Sequence, residues 1–344
     1  MTMKERIQAK IAPQVMKLPD RVLRKLAGDP VVVDGRTLDV RIQLAAAQSS
    51  DGPSIADLEP TAARAVAAES FALTNAKRAA GVATHDLVVG AGNQVPVRIY
   101  RPAVTDGLRP GVMFMHQGGF VIGDLDTCDS FCSRVAAELG AVVISVDYRM
   151  GPEHRFPAAA VDADTVWAWI NDSTDSLGID PTKLVVAGDS AGAQMTAAMC
   201  QRLRATGAAQ PAVQVLVYPY VDATASEGSM VSCADAFPLT AATMDWFQSH
   251  SLPDGFDPGD PSMSPALTDQ LGDVAPAIVV TAGFDPLRDQ GMAFAVALRD
   301  AGVEVTDRCE DSLCHSFLAL DGLVPEAAAA TDHIIADIAR HLRP

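Results

Sequence analysis

With 344 residues, 49% of them hydrophobic and 20% charged, the chain has enough apolar material for a large core, and α/β folds reach this length as one unit. No apolar run approaches the roughly 20 residues that span a bilayer, which excludes a membrane-spanning reading. A formal net charge of −17 argues against nucleic acid or an anionic membrane surface as partner, because both demand basic protein surfaces.

The opening stretch MTMKERIQAKIAPQVMKLPDRVLRKLAG mixes charge with apolar residues and has no continuous h-region of a secretory signal, so a cytoplasmic location is expected. Residues 1–80 carry helical patterns with one polar break at 47–54 and are predicted to form the N-terminal part of a cap. Gly90-Ala91-Gly92 lacks the third glycine and following helix of a dinucleotide fingerprint. From about residue 85 short, β-branched runs alternate with amphipathic stretches. The strand-like runs are GVMFMH (111–116), AVVISVDY (141–148), KLVVAGD (183–189), AVQVLVYP (212–219) and AIVVTAGFD (277–285). Helical segments at 128–140, 158–170 and 192–207 lie between them. This alternation predicts an α/β fold whose mostly parallel sheet is covered by helices on both faces, with ligands bound at the strands' C-terminal edge. The catalytic domain is predicted over 81–220 and 276–344. The long, turn-rich interruption at 221–275 is expected to complete the cap.

The residues that carry chemistry cluster at those strand ends. Gly188-Asp189-Ser190-Ala191-Gly192 follows the strand KLVVA and opens a helix, which holds a serine out at the sheet edge with helix amides pointing at it. A serine hydroxyl needs a base, and the base needs an orienting acid. Of the histidines after Ser190, His333 and His341 fall in the C-terminal helical pattern and His250 in the cap. His315 follows the strand-like VEVTDRC in a loop, so position selects it as base. Asp285 ends AIVVTAGFD before Pro286 and is the expected acid, with Asp289, Glu310 and Asp311 as nearby rivals.

In His116-Gln117-Gly118-Gly119-Phe120, directly after a strand, two glycines let backbone N–H groups approach a substrate oxygen. The amides of Gly118, Gly119 and Ala191 are the expected oxyanion donors. Candidate substrate-binding residues are Gln117, Phe120, Asp189, Trp246 and Phe247. The Gln117 side chain is open to two readings, facing solvent or a neighbouring loop, or narrowing the acyl pocket. Trp246 and Phe247 either line the entrance or bury the cap's own core. Glu153, His154 and Arg155 read as structural ion-pair and hydrogen-bond partners. The six cysteines show no C-x-x-C spacing and read as buried small residues, neither a disulfide framework nor a zinc site.

The combination HQGGFVIGD, DYRMGPEHRFPAA, GDSAG, SPAL, GFDPLRDQ and HSF resembles the bacterial hormone-sensitive-lipase-like (family IV) esterases of the α/β-hydrolase superfamily, in the branch carrying GDSAG. The likeness runs from about residue 85 to the end. It implies a Ser190–His315–Asp285 triad, oxyanion donors at Gly118, Gly119 and Ala191, hydrolysis of short-chain acyl esters, no cofactor, and a homodimer as a common assembly. Three positions depart from the family pattern. Gln117 stands for the first glycine of HGGG, Ala193 for the glycine often found after GDSAG, and Ser316 for the glycine of HGF. The rival readings are an amidase, lactonase or arylformamidase on the same triad. A non-catalytic receptor on this scaffold would require a lost triad member.

Overall fold

The computed structural model describes residues 14–49, 52, 54–90, 92–103 and 107–343. The opening charged stretch up to residue 13, Ala91, and positions 50, 51 and 53 of the polar break lie outside the described residues.

The N-terminal part comprises α1 (Asp20–Ala27), a ribbon of β1 (Val32–Val33) and β2 (Arg36–Thr37), α2 (Val40–Ser49) and α3 (Pro60–Thr74). An antiparallel hairpin follows, β3 (Val82–Val89) and β4 (Val95–Pro102). Then come β5 (Arg109–Met115), α4 (Asp129–Leu139), β6 (Val142–Val146), α5 (Ala158–Asp172), α6 (Thr174–Leu177) and β7 (Ile179–Asp189). The chain continues through α7 (Ala191–Thr206), β8 (Val213–Val217), α8 (Ser229–Ser232) and α9 (Ala241–Ser251). It closes with β9 (Ala277–Phe284), α10 (Arg288–Asp300), β10 (Val305–Cys314) and α11 (Pro325–His341).

The eight strands β3 to β10 form one sheet in the order β10-β9-β8-β7-β5-β6-β4-β3. Of these described strands β4 alone runs against the others, so the C-terminal ends of β5, β7, β9 and β10 meet at one edge. Burial on both faces explains the continuous apolar runs of the central strands. Val112 and Phe114 of β5 face the side covered by α4 and α11, and Met113 and Met115 face the side of α5 and α7.

All five strand-like runs read from the sequence are strands. The hairpin β3–β4 was not among them, because its residues alternate between exposed and buried. The ribbon β1–β2 departs from the helical reading of residues 1–80. Around it, α1 and α2 share a small core of Met16, Leu23, Val40 and Leu44. This unit is fastened beside β10 by the Asp39 N–H donating to Ser312 O at 2.9 Å and by an Arg36–Asp311 ion pair at 2.7 Å.

The α3 segment sits apart from that unit and packs against α9 of the 221–275 interruption. Ala63 and Ala67 join Trp246, Val121 and Ile122 in one cluster. The cysteines are unpaired and, except for half-buried Cys309, buried. Trp167 is buried and Trp169 only half-buried, as two positions 200° apart on a helix require. Among the described residues no helix is long and apolar enough to cross a membrane.

Candidate active site

Strand β7 ends at Asp189 and α7 begins at Ala191, so Ser190 is the whole turn between them. It adopts φ 54° and ψ −116°, a left-handed backbone that a non-glycine residue holds only at a cost. The glycines on either side are needed for packing. A Cβ on Gly188 would lie 2.3 Å from the Gly192 backbone, and one on Gly192 would lie 1.9 Å from Met115 O. The turn is pinned by the Ser190 N–H donating to Val217 O at 2.9 Å.

Three residues from three strand ends meet here. His315, immediately after β10, places Nε2 2.9 Å from Ser190 Oγ. Its Nδ1 lies 2.7 Å from Asp285 Oδ2, immediately after β9. The other carboxylate oxygen, Asp285 Oδ1, accepts from the Leu287 N–H at 2.8 Å, which fixes the plane of the group. The nearby acidic residues are engaged elsewhere. Asp289 pairs with Arg288 and caps Ser229, Glu310 lies beside Arg308, and Asp311 pairs with Arg36. Asp285 and His315 are almost fully buried, while Ser190 opens onto a cleft.

The loop after β5 folds over the serine. Gly118, Gly119 and Phe120 take φ of 123°, 57° and 62°. Gly118 O accepts from the N–H groups of Val121 and Ile122, which curls the loop into a turn. The backbone N–H groups of Gly118, Gly119 and Ala191 find no acceptor within the described protein. Unspent donors, Gly118 and Gly119 in the loop and Ala191 at the start of α7, with Gly119 and Ala191 lining the cleft beside Ser190, suit an oxygen that gains negative charge.

Beneath the loop lies a buried polar group. Asp189, fully enclosed, accepts from Tyr218 OH at 2.8 Å and from the Cys128 thiol at 3.7 Å. Burial pushes its carboxyl up to about 7, against the pull of the Tyr218 hydroxyl, the nearby His315, the Cys128 thiol and the Gln117 backbone N–H. His116 is buried as well. Its Nδ1–H donates to Gln117 O at 2.6 Å, its ring stacks on Tyr148, and desolvation lowers its basicity.

The cleft above Ser190 encloses about 450 Å³ counting its open mouth. Gly119, Phe120 and Ala191 form its floor, and Leu239, Met244, Phe247, Leu252 and Met263 are among its walls. The five candidate substrate-binding residues therefore separate. Phe120 and Phe247 line the cleft. Trp246 turns the other way, donating its indole N–H at 3.1 Å to the O atom of Leu58, in the turn just before α3. Asp189 and Gln117 are buried behind the loop and do not line the cleft.

Gln117 is thus neither solvent-facing nor a wall of the cleft, and its Nε2 meets no acceptor in the described protein. The walls Tyr220, Leu239, Met244, Leu252 and Met263 were not singled out from sequence, since ordinary apolar residues in a turn-rich segment carry no motif. Among the described residues no cluster of His, Cys, Asp and Glu could hold a metal ion.

Residues 112–319 match the α/β-hydrolase fold family. The carboxylic ester hydrolase LipN of Mycobacterium tuberculosis is 38% identical over 98% of this chain and 91% of its own length. An ethyl acetate hydrolase of Pseudomonas putida is 35% identical over 73% of this chain and 80% of its own. A solved ester hydrolase from the metagenome of Lake Arreo superposes with a TM-score of 0.82 at 36% identity, covering 87% of this chain and 96% of that one.

Proposed function

This chain belongs to the hormone-sensitive-lipase-like branch of the α/β-hydrolase family and is a carboxylic ester hydrolase, and we propose that it acts through Ser190, His315 and Asp285 on short-chain acyl esters. The observation that carries the reading is the pair of contacts at 2.9 and 2.7 Å linking serine, imidazole and carboxylate in one line.

His315 takes the Ser190 proton as Oγ attacks the ester carbonyl, and Asp285 holds the imidazole with its Nδ1–H toward the carboxylate. The amides of Gly118, Gly119 and Ala191 receive the oxyanion. His315 then protonates the departing alkoxide, leaving an acyl group on Ser190. Water, activated by the same imidazole, releases the acid and restores the enzyme. No cofactor enters these steps.

The α3 segment and residues 221–275 act as the cap, supported by the cleft walls that α9 supplies. A short-chain preference is supported by the small apolar cleft and by the likeness to an ethyl acetate hydrolase. The unpaired thiols suit a reducing, cytoplasmic setting.

Replacing Ser190 by alanine tests the assignment. Ser190→Ala should abolish labelling by a fluorophosphonate and lower kcat by about 10⁴-fold or more. Labelling that persists on another serine would sink it.

A further inference from the structure

We propose that Arg64 of the N-terminal helix α3 is a positioning residue for the oxyanion hole, clamping the loop that carries Gly118 and Gly119 from its outer flank.

The guanidinium spends its donors on one small region. Nε–H donates to Val121 O at 2.8 Å, and Nη2 donates to Gly151 O at 2.6 Å. Nη1 and Nη2 also grip both oxygens of Glu153, at 2.9 and 2.6 Å. Gly151 in turn donates its own N–H to Phe120 O at 2.8 Å. Val121 is therefore held directly, and Phe120 through one intervening residue.

Such a hold is needed at this place. Phe120 has φ 62°, a conformation costing a non-glycine residue about 1–2 kcal/mol and kept only when neighbours over-determine it. Relaxation of Phe120 toward ordinary torsions would turn the Gly119–Phe120 peptide, displace the Gly119 Cα that joins it to the Gly118–Gly119 peptide, and so shift the Gly119 N–H relative to Ser190. Glu153 keeps the guanidinium in its fork geometry, and the ion pair draws the Glu153 carboxyl down to about 2. Lysine could not replace this arrangement, since a point charge cannot address two carbonyls and a carboxylate at fixed angles.

Arg64 touches no substrate and none of the three site residues. Its effect is on where the amides sit. The inference rests on the Ser190 reading with its oxyanion donors.

The test compares substrate turnover with affinity for a trifluoromethyl ketone, whose adduct on the serine carries an oxyanion. In Arg64→Ala, kcat should fall about 10- to 100-fold with KM little changed, the loss expected when reacting groups are misplaced by a fraction of an ångström. The trifluoromethyl ketone should lose affinity by the same factor. Arg64→Lys should keep most of the thermal stability and yet retain most of the kinetic defect, and it decides the matter if Arg64→Ala does not fold. Full ketone affinity in a folded Arg64 variant would overturn the proposal, leaving Arg64 as an anchor of α3 only. Ser190→Ala run alongside separates the two failures. If that variant keeps its turnover, the Ser190 reading and this inference fall together; if it is inactive, the Arg64 result stands on its own.

Discussion

The ring of Phe247 lies against Gly119 so closely that a Cβ on the glycine would sit 2.2 Å from Cγ of the phenylalanine. A residue of the 221–275 segment thus covers a donor of the candidate oxyanion hole, and the glycine is demanded twice, by this contact and by its φ of 57°. Gly119→Ala should reduce kcat/KM by about 10²-fold or more, the scale of a lost oxyanion donor. Adding Phe247→Ala removes the steric part and should restore a fraction of the activity. A steady-state double-mutant cycle measures that coupling, and strict additivity of the two changes would contradict the contact argument.

Asp189 makes stability depend on pH in a defined direction. Its folded-state value of about 7 exceeds the ordinary 3.8, so between those limits the folded protein holds a proton that the unfolded chain has released. Its contribution to stability is complete at the acid end of that window and is lost as pH rises toward 7. Asp189→Asn cannot titrate. The wild-type melting temperature, taken as a difference from Asp189→Asn, should fall from about pH 4 to pH 7 and level off above. A difference that is flat or rising with pH would contradict the buried, protonated carboxyl.

Ser316 stands where the HGF pattern of the resembled family has its glycine, and its backbone conformation is one that suits glycine. With φ 64° and ψ 21° it lies in the left-handed region, and it directly follows His315. The penalty for a side chain there exceeds the entropic cost of glycine in the unfolded chain, leaving a net gain of about 0.5–1 kcal/mol for Ser316→Gly. Urea denaturation reads this as a higher midpoint with an unchanged slope. Esterase turnover should be retained, because the Ser316 hydroxyl makes no hydrogen bond among the described residues. A lower midpoint would show that the serine side chain stabilises the loop.

These residues also mark what the sequence could and could not disclose. The central strands were readable because burial on both faces forces continuous β-branched runs. The edge hairpin was not, since its polar positions pair across the strands, as Asp86 does with Arg98. Ser190, Asp285 and His315 were readable because each directly follows a strand whose neighbours reach the same edge. Trp246 and Phe247 could not be told apart, because adjacent helix positions differ only by rotation and packing alone decides which faces the cleft. Arg64 carries no local signal, since its acceptors at Val121 and Gly151 lie 57 and 87 residues away.

Acyl-chain dependence measures the depth of the cleft. Its walls are almost wholly apolar, so each methylene that finds room should add up to about 0.8 kcal/mol of binding to the transition state, roughly fourfold in kcat/KM. The cleft, near 450 Å³ with its open mouth, must hold the leaving alcohol as well as the acyl chain, and the Leu239, Met244, Leu252 and Met263 side chains that line it bound the length of chain it admits. Across p-nitrophenyl esters, log kcat/KM should climb over the first members, peak at or below about C6, and decline for longer chains. Met263→Ala removes a large buried wall and should move the peak to a longer chain, at some cost in stability. Emulsified long-chain triglyceride should be a poor substrate, because α9 is held over the site by Trp246 and α3. Strong interfacial activation on such an emulsion would show that this cover opens readily, and both the cap and the short-chain preference would have to be given up.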